Sequence, residues 1–311
     1  MEYYNQDTLL YHDGQYVKAS EARMDLYSQS LHYGYSVFEG IRAYKTDSGE
    51  TRIFKAKEHF DRLKRSADAM NIPYPYQREE LIDATYRLLA ANKLQDAYIR
   101  PLVYVPANMS FNRCTESHIV IEVWEMQPFL GEKLLKVKVS SFQRPNPRGF
   151  KIEAKAAGHY VNSILASQEA KAEGYDEGLL TDMQDYVAEG PGANVFFEKN
   201  GKMFTPATGN ILPGITRATV IEICRALRIP VEEGSFTIDD LKSADAAFFC
   251  GTAAEVIGWE SLDGQPFRKS WSNSLGRLIQ QAYKNLVVEK EYLSLAPTTG
   301  KATDTEKYVI A

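Results

Sequence analysis

The chain of 311 residues is poor in cysteine, with Cys114, Cys224 and Cys250 as its only three. No two of them stand in a C-x-x-C spacing, so neither a disulfide framework nor a cysteine-based zinc site is expected. No apolar run approaches the roughly 20 residues that a membrane-spanning helix needs. The first residues carry neither the basic nor the apolar segment of a secretory signal. We therefore expect a cytoplasmic protein with no membrane span.

The chain also lacks an excess of positive charge, because Lys+Arg 36 against Asp+Glu 41 gives a net charge of −5. No basic run offsets this balance, which argues against a nucleic-acid partner. The chain has no internal repeat and no low-complexity block. What is present is an ordinary globular composition, with 44% hydrophobic and 25% charged residues. The length suggests about two domains.

The first half of the chain alternates strand and helix patterns. Residues 36–44 predict a strand interrupted at Gly40, which suggests a close backbone approach there. Apolar residues at helical spacing over 58–70 predict a helix, with Arg62 one step off its apolar face. A second amphipathic pattern predicts a helix over 79–92. Two apolar runs rich in β-forming residues predict paired strands over 98–105 and 118–124.

The pattern breaks between the two halves of the chain, and a new alternating strand begins at Leu135. This break predicts a small N-terminal domain over 1–125, an interdomain loop over 126–132 and a large C-terminal domain over 133–311. Within the large domain the patterns predict helices over 158–171, 217–227 and 272–286, and a hairpin over 196–204 with an Asn-Gly turn.

Two short segments share a pattern of apolar residues, a glycine, a threonine and then a predicted helix, and they lie at 212–217 and 249–254. A helix N-terminus offers free backbone N–H groups and a positive dipole end, which suits a phosphate. The alternative is that Thr216 and Thr252 are ordinary N-capping residues. For a single segment of this kind, N-capping would be favoured over phosphate binding. Two such segments in one domain favour a phosphate site.

Lys155 and Glu189 are the candidate reactive groups. Lys155 is flanked by small and apolar residues, with Tyr160 five positions later. A lysine in such surroundings can form a Schiff base or act as a general base, although a lone lysine is more often at the surface. Glu189 lies beside glycines between two predicted strands, where it would bind a protonated ring nitrogen or be a solvated turn residue. Combined with a phosphate site, these groups fit the requirements of pyridoxal phosphate.

Seven segments of the chain occur in the order found in branched-chain amino acid aminotransferases, which are fold-type IV, class IV pyridoxal-phosphate enzymes. The chain resembles this family from about residue 11 to residue 286. The resemblance implies an α/β (α+β) fold with a smaller N-terminal α/β domain and a larger C-terminal domain with a barrel-like β core. It also implies pyridoxal 5'-phosphate, no metal, and a homodimer or an assembly of dimers. The segments are HYGYSVFEGIRAY, EHFDRL, AYIRPL, AKAAGHY, EGPGANVF, LPGITR and CGTAAE.

The resemblance also implies a role for each site residue. Lys155 would carry the cofactor and then move protons, while Glu189 would pair with the ring nitrogen and Tyr160 with the phenolic oxygen. Tyr33, Phe38 and Tyr98 could instead be ordinary aromatic residues of the core. Composition alone would favour that alternative. The implied phosphate and ring contacts are Arg62, Ile215, Thr216, Thr252 and Leu212, and the implied substrate contacts are Phe38, Tyr98, Arg100, Thr252, Ala253 and Tyr33, the last from a partner subunit.

The implied reaction is the transamination of L-leucine, L-isoleucine and L-valine with 2-oxoglutarate, giving branched-chain 2-oxo acids and glutamate. Alternatives on the same fold are a D-amino-acid aminotransferase, an R-selective amine transaminase and an aminodeoxychorismate lyase. The VFEGIRAY and YIRP segments argue against these, since those enzymes bind the carboxylate with differently placed residues. A non-catalytic cofactor-binding protein would be expected to lack Lys155 or Glu189, and both are present.

A few positions depart from the family pattern. Pro191 stands where a small residue is usual and stiffens the backbone after Glu189. His159 replaces the commoner asparagine before Tyr160, and we expect it to support the site by hydrogen bonding and not to act as a base. Four further positions leave the side-chain preference open, namely Met109, Phe111, Met126 and Phe129.

Overall fold

The computed structural model describes residues 3–126 and 133–289, which form two compact units. The first consists of Met1–Phe129 and Pro147–Val161, and the second of Leu130–Asn146 and Asn162–Ala311. Most of the predicted interdomain loop, Phe129 included, lies outside the described residues. The predicted boundaries place 147–161 in the C-terminal half, whereas its backbone pairs with the first unit through the Val37–Ala156 bridge.

A seven-stranded sheet organises the first unit. Its strands run in the order β2-β1-β7-β6-β4-β5, and β3 also pairs with β6. The predicted pairing of the two long central strands is confirmed, because β6 and β7 are antiparallel over their whole length. The strand interrupted at Gly40 is also confirmed as β3 and β4. The strands are β1 (Leu9–His12), β2 (Gln15–Lys18), β3 (Ser36–Phe38), β4 (Ile41–Lys45), β5 (Thr51–Ile53), β6 (Ala97–Tyr104) and β7 (His118–Trp124).

The two faces of this sheet differ in character, because successive side chains of a strand point to opposite faces. One face is apolar and joins a buried core with Phe60 and Leu63 of helix α2 and Leu88 of helix α3. Its strand residues include Ile99 and Ile121, which are fully buried. The opposite face of β6 and β7 carries aromatic and charged side chains, Tyr98, Arg100, Glu122 and Trp124. The helices are α1 (Gln29–Tyr33), α2 (Ala56–Ala69) and α3 (Arg78–Ala91).

A closed ring of strands forms the centre of the second unit. The pairings run β10-β9-β8-β15-β14-β11, and β10 pairs again with β11. The predicted barrel-like β core is thus confirmed, and its apolar side chains, such as Val137 and Phe249, are fully buried. The strands are β8 (Leu135–Gln143), β9 (Glu177–Thr181), β10 (Val187–Glu189), β11 (Asn194–Lys199), β12 (Lys202–Pro206), β13 (Val231–Gly234), β14 (Ala246–Gly251), β15 (Glu255–Leu262) and β16 (Gln265–Pro266).

The helices of the second half and its hairpin follow the predictions closely. Asn200 and Gly201 have φ of 52° and 73°, as a two-residue turn between β11 and β12 requires. None of the helices in the described residues is both long enough and apolar enough to cross a membrane. A short 3-10 turn, Ala157–His159, precedes α4. The helices are α4 (Tyr160–Ala172), α5 (Ile215–Ala226), α6 (Ile238–Lys242) and α7 (Leu275–Val287).

The helix predicted after Thr252 is wrong. Strand β14 ends at Gly251 and pairs there with Glu255, the first residue of β15, so Thr252 lies in a tight turn. The run from Val256 to Leu262 is apolar and completes the barrel wall, and this pairing outweighs any local helical preference.

Gly258 provides a test of packing in the second unit. A Cβ built on Gly258 of β15 would lie 2.4 Å from the ring of Trp271. We expect Gly258→Ala to lower the free energy of unfolding by about 1–3 kcal/mol, because an overpacked site must displace its neighbours. Chemical denaturation would measure the loss. Gly192→Ala is the matched control, since a Cβ there meets nothing within 4 Å. Equal effects of the two substitutions would contradict the prediction.

Candidate active site

Lys155 is fixed through its backbone by two elements of the first unit. Its N–H donates to Oγ of Ser66 on α2, at 3.0 Å. Its carbonyl oxygen accepts from the N–H of Phe38 on β3, at 3.1 Å. A residue bound on both sides of its Cα has little freedom to rotate. The side chain of Lys155 therefore leaves a fixed point of the backbone.

The ammonium group of Lys155 lies among aromatic rings. Nζ donates to Tyr160 Oη at 2.7 Å, and it lies 5.1 Å from the ring centroid of Phe38. The rings of Phe38 and Tyr160 meet edge to face, with centroids 4.9 Å apart. Aromatic faces attract a cation and exclude water. The structure thus brings together three predicted site residues and places Phe38 at the centre of the cluster.

Arg100 lies on the other side of the Phe38 ring. Its Cζ is 4.6 Å from the centroid of Phe38, 5.3 Å from that of Tyr98 and 5.9 Å from that of Trp124. Nη2 donates to Tyr98 Oη at 3.2 Å, whereas the buried Nε has no hydrogen-bond partner among the described residues. A buried donor without a partner is unusual in a folded protein. No ion pair of 4.0 Å or less occupies the guanidinium among the described residues, so it is suited to bind the carboxylate of a substrate.

Gly40 gives Tyr98 its place in this cluster. A Cβ on Gly40 would lie 1.9 Å from Tyr98 Oη and 2.8 Å from its ring carbon Cζ. Only glycine is compatible with this position of the tyrosine. The sequence predicts a close backbone approach at Gly40, whereas the structure places a side chain, that of Tyr98, against it.

Arg62 is buried on α2 and binds a carboxylate of the chain. Its Nε and Nη2 donate to the two oxygens of Glu39 at 2.7 and 2.9 Å, and His59 lies 2.7 Å from the same carboxylate through Nδ1. Burial raises the pKa of Glu39, but the charge of Arg62 and the proximity of His59 outweigh it and hold that pKa well below its usual range. Burial lowers the pKa of His59, which favours the neutral imidazole, and the tautomer with its proton on Nδ1 donates to Glu39.

The sequence pattern did not single out Glu39 or His59. An acidic residue inside the apolar run of 36–44 was the available signal, because a buried carboxylate requires a partner. The burial of Arg62 is deeper than a position one step off the apolar face suggests. The carboxylate of Glu39 explains this burial, because it neutralises the charge of the Arg62 guanidinium.

Glu189 is buried in the second unit at the end of β10. Its carboxylate accepts from Asn194 Nδ2 at 3.1 Å and from the backbone N–H of Leu212 at 3.2 Å. Arg144 Nε lies 3.0 Å from Oε1, so an ion pair stabilises the negative form. The alternative of a solvated turn residue is wrong, because the side chain is enclosed. Arg144 was not predicted, since its polar Pro/Gly-rich loop carries no signal of burial.

Three loops of the second unit converge around Glu189. A Cβ on Gly214 would lie 2.0 Å from Asn194 Oδ1, and one on Gly251 would lie 3.1 Å from the carbonyl oxygen of Gly192. These contacts bring the loop after β10 together with the start of α5 and with the turn after β14. The predicted residues lie at or beside these elements, with Leu212, Ile215 and Thr216 at or just before the start of α5 and Thr252 and Ala253 directly after β14.

The N-terminus of α5 has the form expected of an anion site. The helix begins at Ile215, with Thr216 as its second residue. The N-cap is Gly214, without a side-chain cap, so the alternative that Thr216 is an N-capping residue is wrong. The free N–H groups of the first turn are those that can bind a phosphate.

The remaining predicted residue, Tyr33, is at the surface with 48% of its side-chain area exposed. Its ring centroid lies 5.7 Å from that of Phe111, which is 90% exposed. Met109 is exposed nearby in the chain. His159 is buried, and its ring meets that of Phe150 edge to face.

Comparison with known proteins identifies the family. Residues 36–262 match the family described as amino-transferase class IV. A branched-chain-amino-acid aminotransferase from Pseudomonas aeruginosa is 38% identical over 292 residues, covering 92% of this chain and 95% of that protein. Two crystal structures of the T.th. branched-chain amino acid aminotransferase, one complexed with N-(5'-phosphopyridoxyl)-L-glutamate and one with 4-methylvaleric acid, are each 35% identical to this chain. They cover 92% of this chain and 95% and 96% of their own, with a TM-score of 0.87. With its fold, its lysine and its buried carboxylate, the chain belongs to the class IV aminotransferases.

Proposed function

We propose that the protein transfers the amino group of L-leucine, L-isoleucine and L-valine to 2-oxoglutarate with pyridoxal 5'-phosphate as its cofactor. The observation that carries the proposal is Lys155, held at both sides of its backbone with Nζ 2.7 Å from Tyr160 Oη. The names of the relatives support the substrates. We infer the cytoplasm as the location.

The residues of both units fit this cofactor. The buried carboxylate of Glu189 matches a protonated ring nitrogen, and the first turn of α5 matches a phosphate. When bound, pyridoxal 5'-phosphate supplies an imine-forming carbonyl and a protonated ring that takes up the negative charge left on the substrate Cα. The first unit would contribute Lys155, Tyr160 and Arg62, and the second Glu189, Leu212, Ile215, Thr216 and Thr252.

Each of these side chains has a distinct task in the proposed reaction. Lys155 Nζ would hold the cofactor and, when free, would act as the base that moves a proton to and from the substrate Cα. Tyr160 Oη, within hydrogen-bond distance, orients that amine. Glu189 keeps the ring nitrogen protonated, and Arg144 keeps Glu189 ionised. Arg62, whose positive charge is largely neutralised by Glu39, would add a hydrogen-bond donor for the phosphate.

The proposed reaction requires one site to accept an aliphatic side chain and then the γ-carboxylate of glutamate. Phe38, Tyr98 and Trp124 supply an apolar surface, and Arg100 lies over it. Its planar fork matches a carboxylate with two hydrogen bonds. The structures of the relative with a glutamate adduct and with a branched acid support this dual use.

We also propose that two copies of the chain assemble, with Tyr33 contributed to the site of the partner subunit. The exposure of Tyr33, Phe111 and Leu31 supports this, since large apolar side chains clustered at a surface are typical of interfaces.

Lys155→Ala tests the attachment of the cofactor. Borohydride should trap the cofactor on the native protein and not on this variant, and turnover should fall by several orders of magnitude. Peptide mapping of the reduced protein would locate the adduct. Lys151→Ala, an exposed lysine in the same segment, is the control. An adduct on another lysine would contradict the assignment.

Glu189→Gln tests the partner of the ring nitrogen. Glutamine removes the charge, and a charge-assisted hydrogen bond contributes about 1.5–3 kcal/mol, so we expect a loss of turnover of about 10–100-fold or more. The cofactor should still bind through its phosphate. Single-turnover kinetics would measure the loss, with Glu260→Gln on an exposed position of β15 as the control. Activity within twofold of the native protein would exclude Glu189 as the ring partner.

Arg100→Gln tests the recognition of the γ-carboxylate. We expect the glutamate and 2-oxoglutarate half-reaction to weaken by about 2–4 kcal/mol, as when one partner of a buried charge pair is lost. The leucine half-reaction should change far less. Single-turnover measurement of each half-reaction separates the two. Equal losses would place Arg100 on the α-carboxylate common to both substrates, or in the scaffold.

A further inference from the structure

The sheet face that carries Arg100 also carries a carboxylate. Glu122 of β7 pairs with Arg100 of β6 in the antiparallel register, so the two side chains leave the same face at adjacent positions. The next pair on this face is Tyr98 with Trp124, whose ring centroids lie 5.0 Å apart. Arg100 is thus flanked by rings on one side and by an acid on the other.

Glu122 is close enough to affect Arg100 without binding it tightly. Within the part of the chain that the structure describes, no ion pair of 4.0 Å or less joins the two side chains. Burial raises the pKa of Glu122 above its ordinary value, and the positive charge of Arg100 opposes this shift without cancelling it. Glu122 is exposed at its position on β7, so it is also in contact with solvent.

We propose that Glu122 sets the preference between the two substrate classes by acting as the counter-ion of Arg100 when an aliphatic side chain lies beside it. The inference rests on the proposed role of Arg100. An aliphatic side chain brings no charge, and an uncompensated guanidinium against apolar groups is unfavourable. Glu122 neutralises it. Glu122 is thus a specificity-determining residue that acts through Arg100.

Glutamate presents the opposite case. Its γ-carboxylate adds a second negative charge beside Arg100 and must compete with Glu122 for the same guanidinium. Like charges at short range repel, so Glu122 weakens the binding of glutamate and 2-oxoglutarate. Glu122 therefore lowers the affinity for the acidic substrates and improves the binding of leucine, isoleucine and valine.

Glu122→Gln in the holoenzyme tests this, because the substitution keeps the shape and removes the charge. The KM for glutamate and for 2-oxoglutarate should fall about three- to tenfold, as expected for one unit charge acting through a partly solvated site. The KM for leucine should not fall, and kcat should stay within about twofold. The effect should shrink in 1 M salt, where the screening length is roughly 3 Å.

Two further variants separate the possible outcomes. Glu116→Gln removes the same charge from an exposed position just before β7 and should leave both KM values unchanged. In an Arg100→Gln background, Glu122→Gln should no longer lower the KM for glutamate. A rise in that KM would show that Glu122 holds Arg100 in place for glutamate and would overturn the proposal. Equal changes for leucine and glutamate, or no change, would also overturn it.

The failure of this inference is distinguishable from a failure of the proposed role of Arg100. If Arg100→Gln weakens the leucine and glutamate half-reactions equally, the role of Arg100 itself is wrong. If Arg100→Gln is selective for glutamate and Glu122→Gln changes nothing, Arg100 keeps its role and Glu122 is not its counter-ion.

Discussion

The geometry of the proposed reaction depends on two backbone hydrogen bonds, one at each side of Lys155. The N–H bonds to Ser66 of α2 and the carbonyl oxygen to the N–H of Phe38. A lysine side chain has many rotatable bonds. Fixing its backbone limits the positions that Nζ can reach, so less conformational freedom is lost when the amine is placed for reaction. The same two neighbours connect the lysine with the rest of the site, since α2 also carries Arg62 and Phe38 also contacts Arg100.

Charge in the first unit is arranged in neutral groups. Arg62 is matched by Glu39 at the buried side of β3, and Arg100 faces Glu122 on the aromatic side of the sheet. A buried arginine without an acid would be costly, and one whose donors are bound to an acid has fewer left for a substrate. Arg62 has a full ion pair, whereas Arg100 has none within 4.0 Å among the described residues. The difference separates an anchoring role from a role that changes with the substrate.

Much of the fold was predictable because its signals are local. Three signals each depend on near neighbours in sequence, namely the helical spacing over 58–70, the Asn-Gly turn at Asn200 and the apolar, β-rich runs of β6 and β7. The turn at Thr252 was not predictable in this way, because its form is fixed by the pairing of β14 with β15 in the barrel.

For the site, the residue patterns and the family resemblance predict the candidate residues, whereas the residues that contact them are found only in the structure. Arg144 meets Glu189 from 45 positions away, and Ser66 meets Lys155 from 89 positions away. No pattern of spacing or periodicity in the sequence predicts a contact between residues so far apart. Glu39 is the exception, since an acid within an apolar strand indicates an unseen partner.

The contact of Gly40 with Tyr98 has a consequence for how this protein can evolve. The tyrosine hydroxyl occupies the space that any side chain at position 40 would need. A mutation that enlarges position 40 displaces the tyrosine, and a mutation that shortens position 98 opens a hole above the glycine. A substitution at either position therefore alters the packing at the other. We expect positions 40 and 98 to change together in evolution, with a larger residue at position 40 accompanied by a smaller one at position 98.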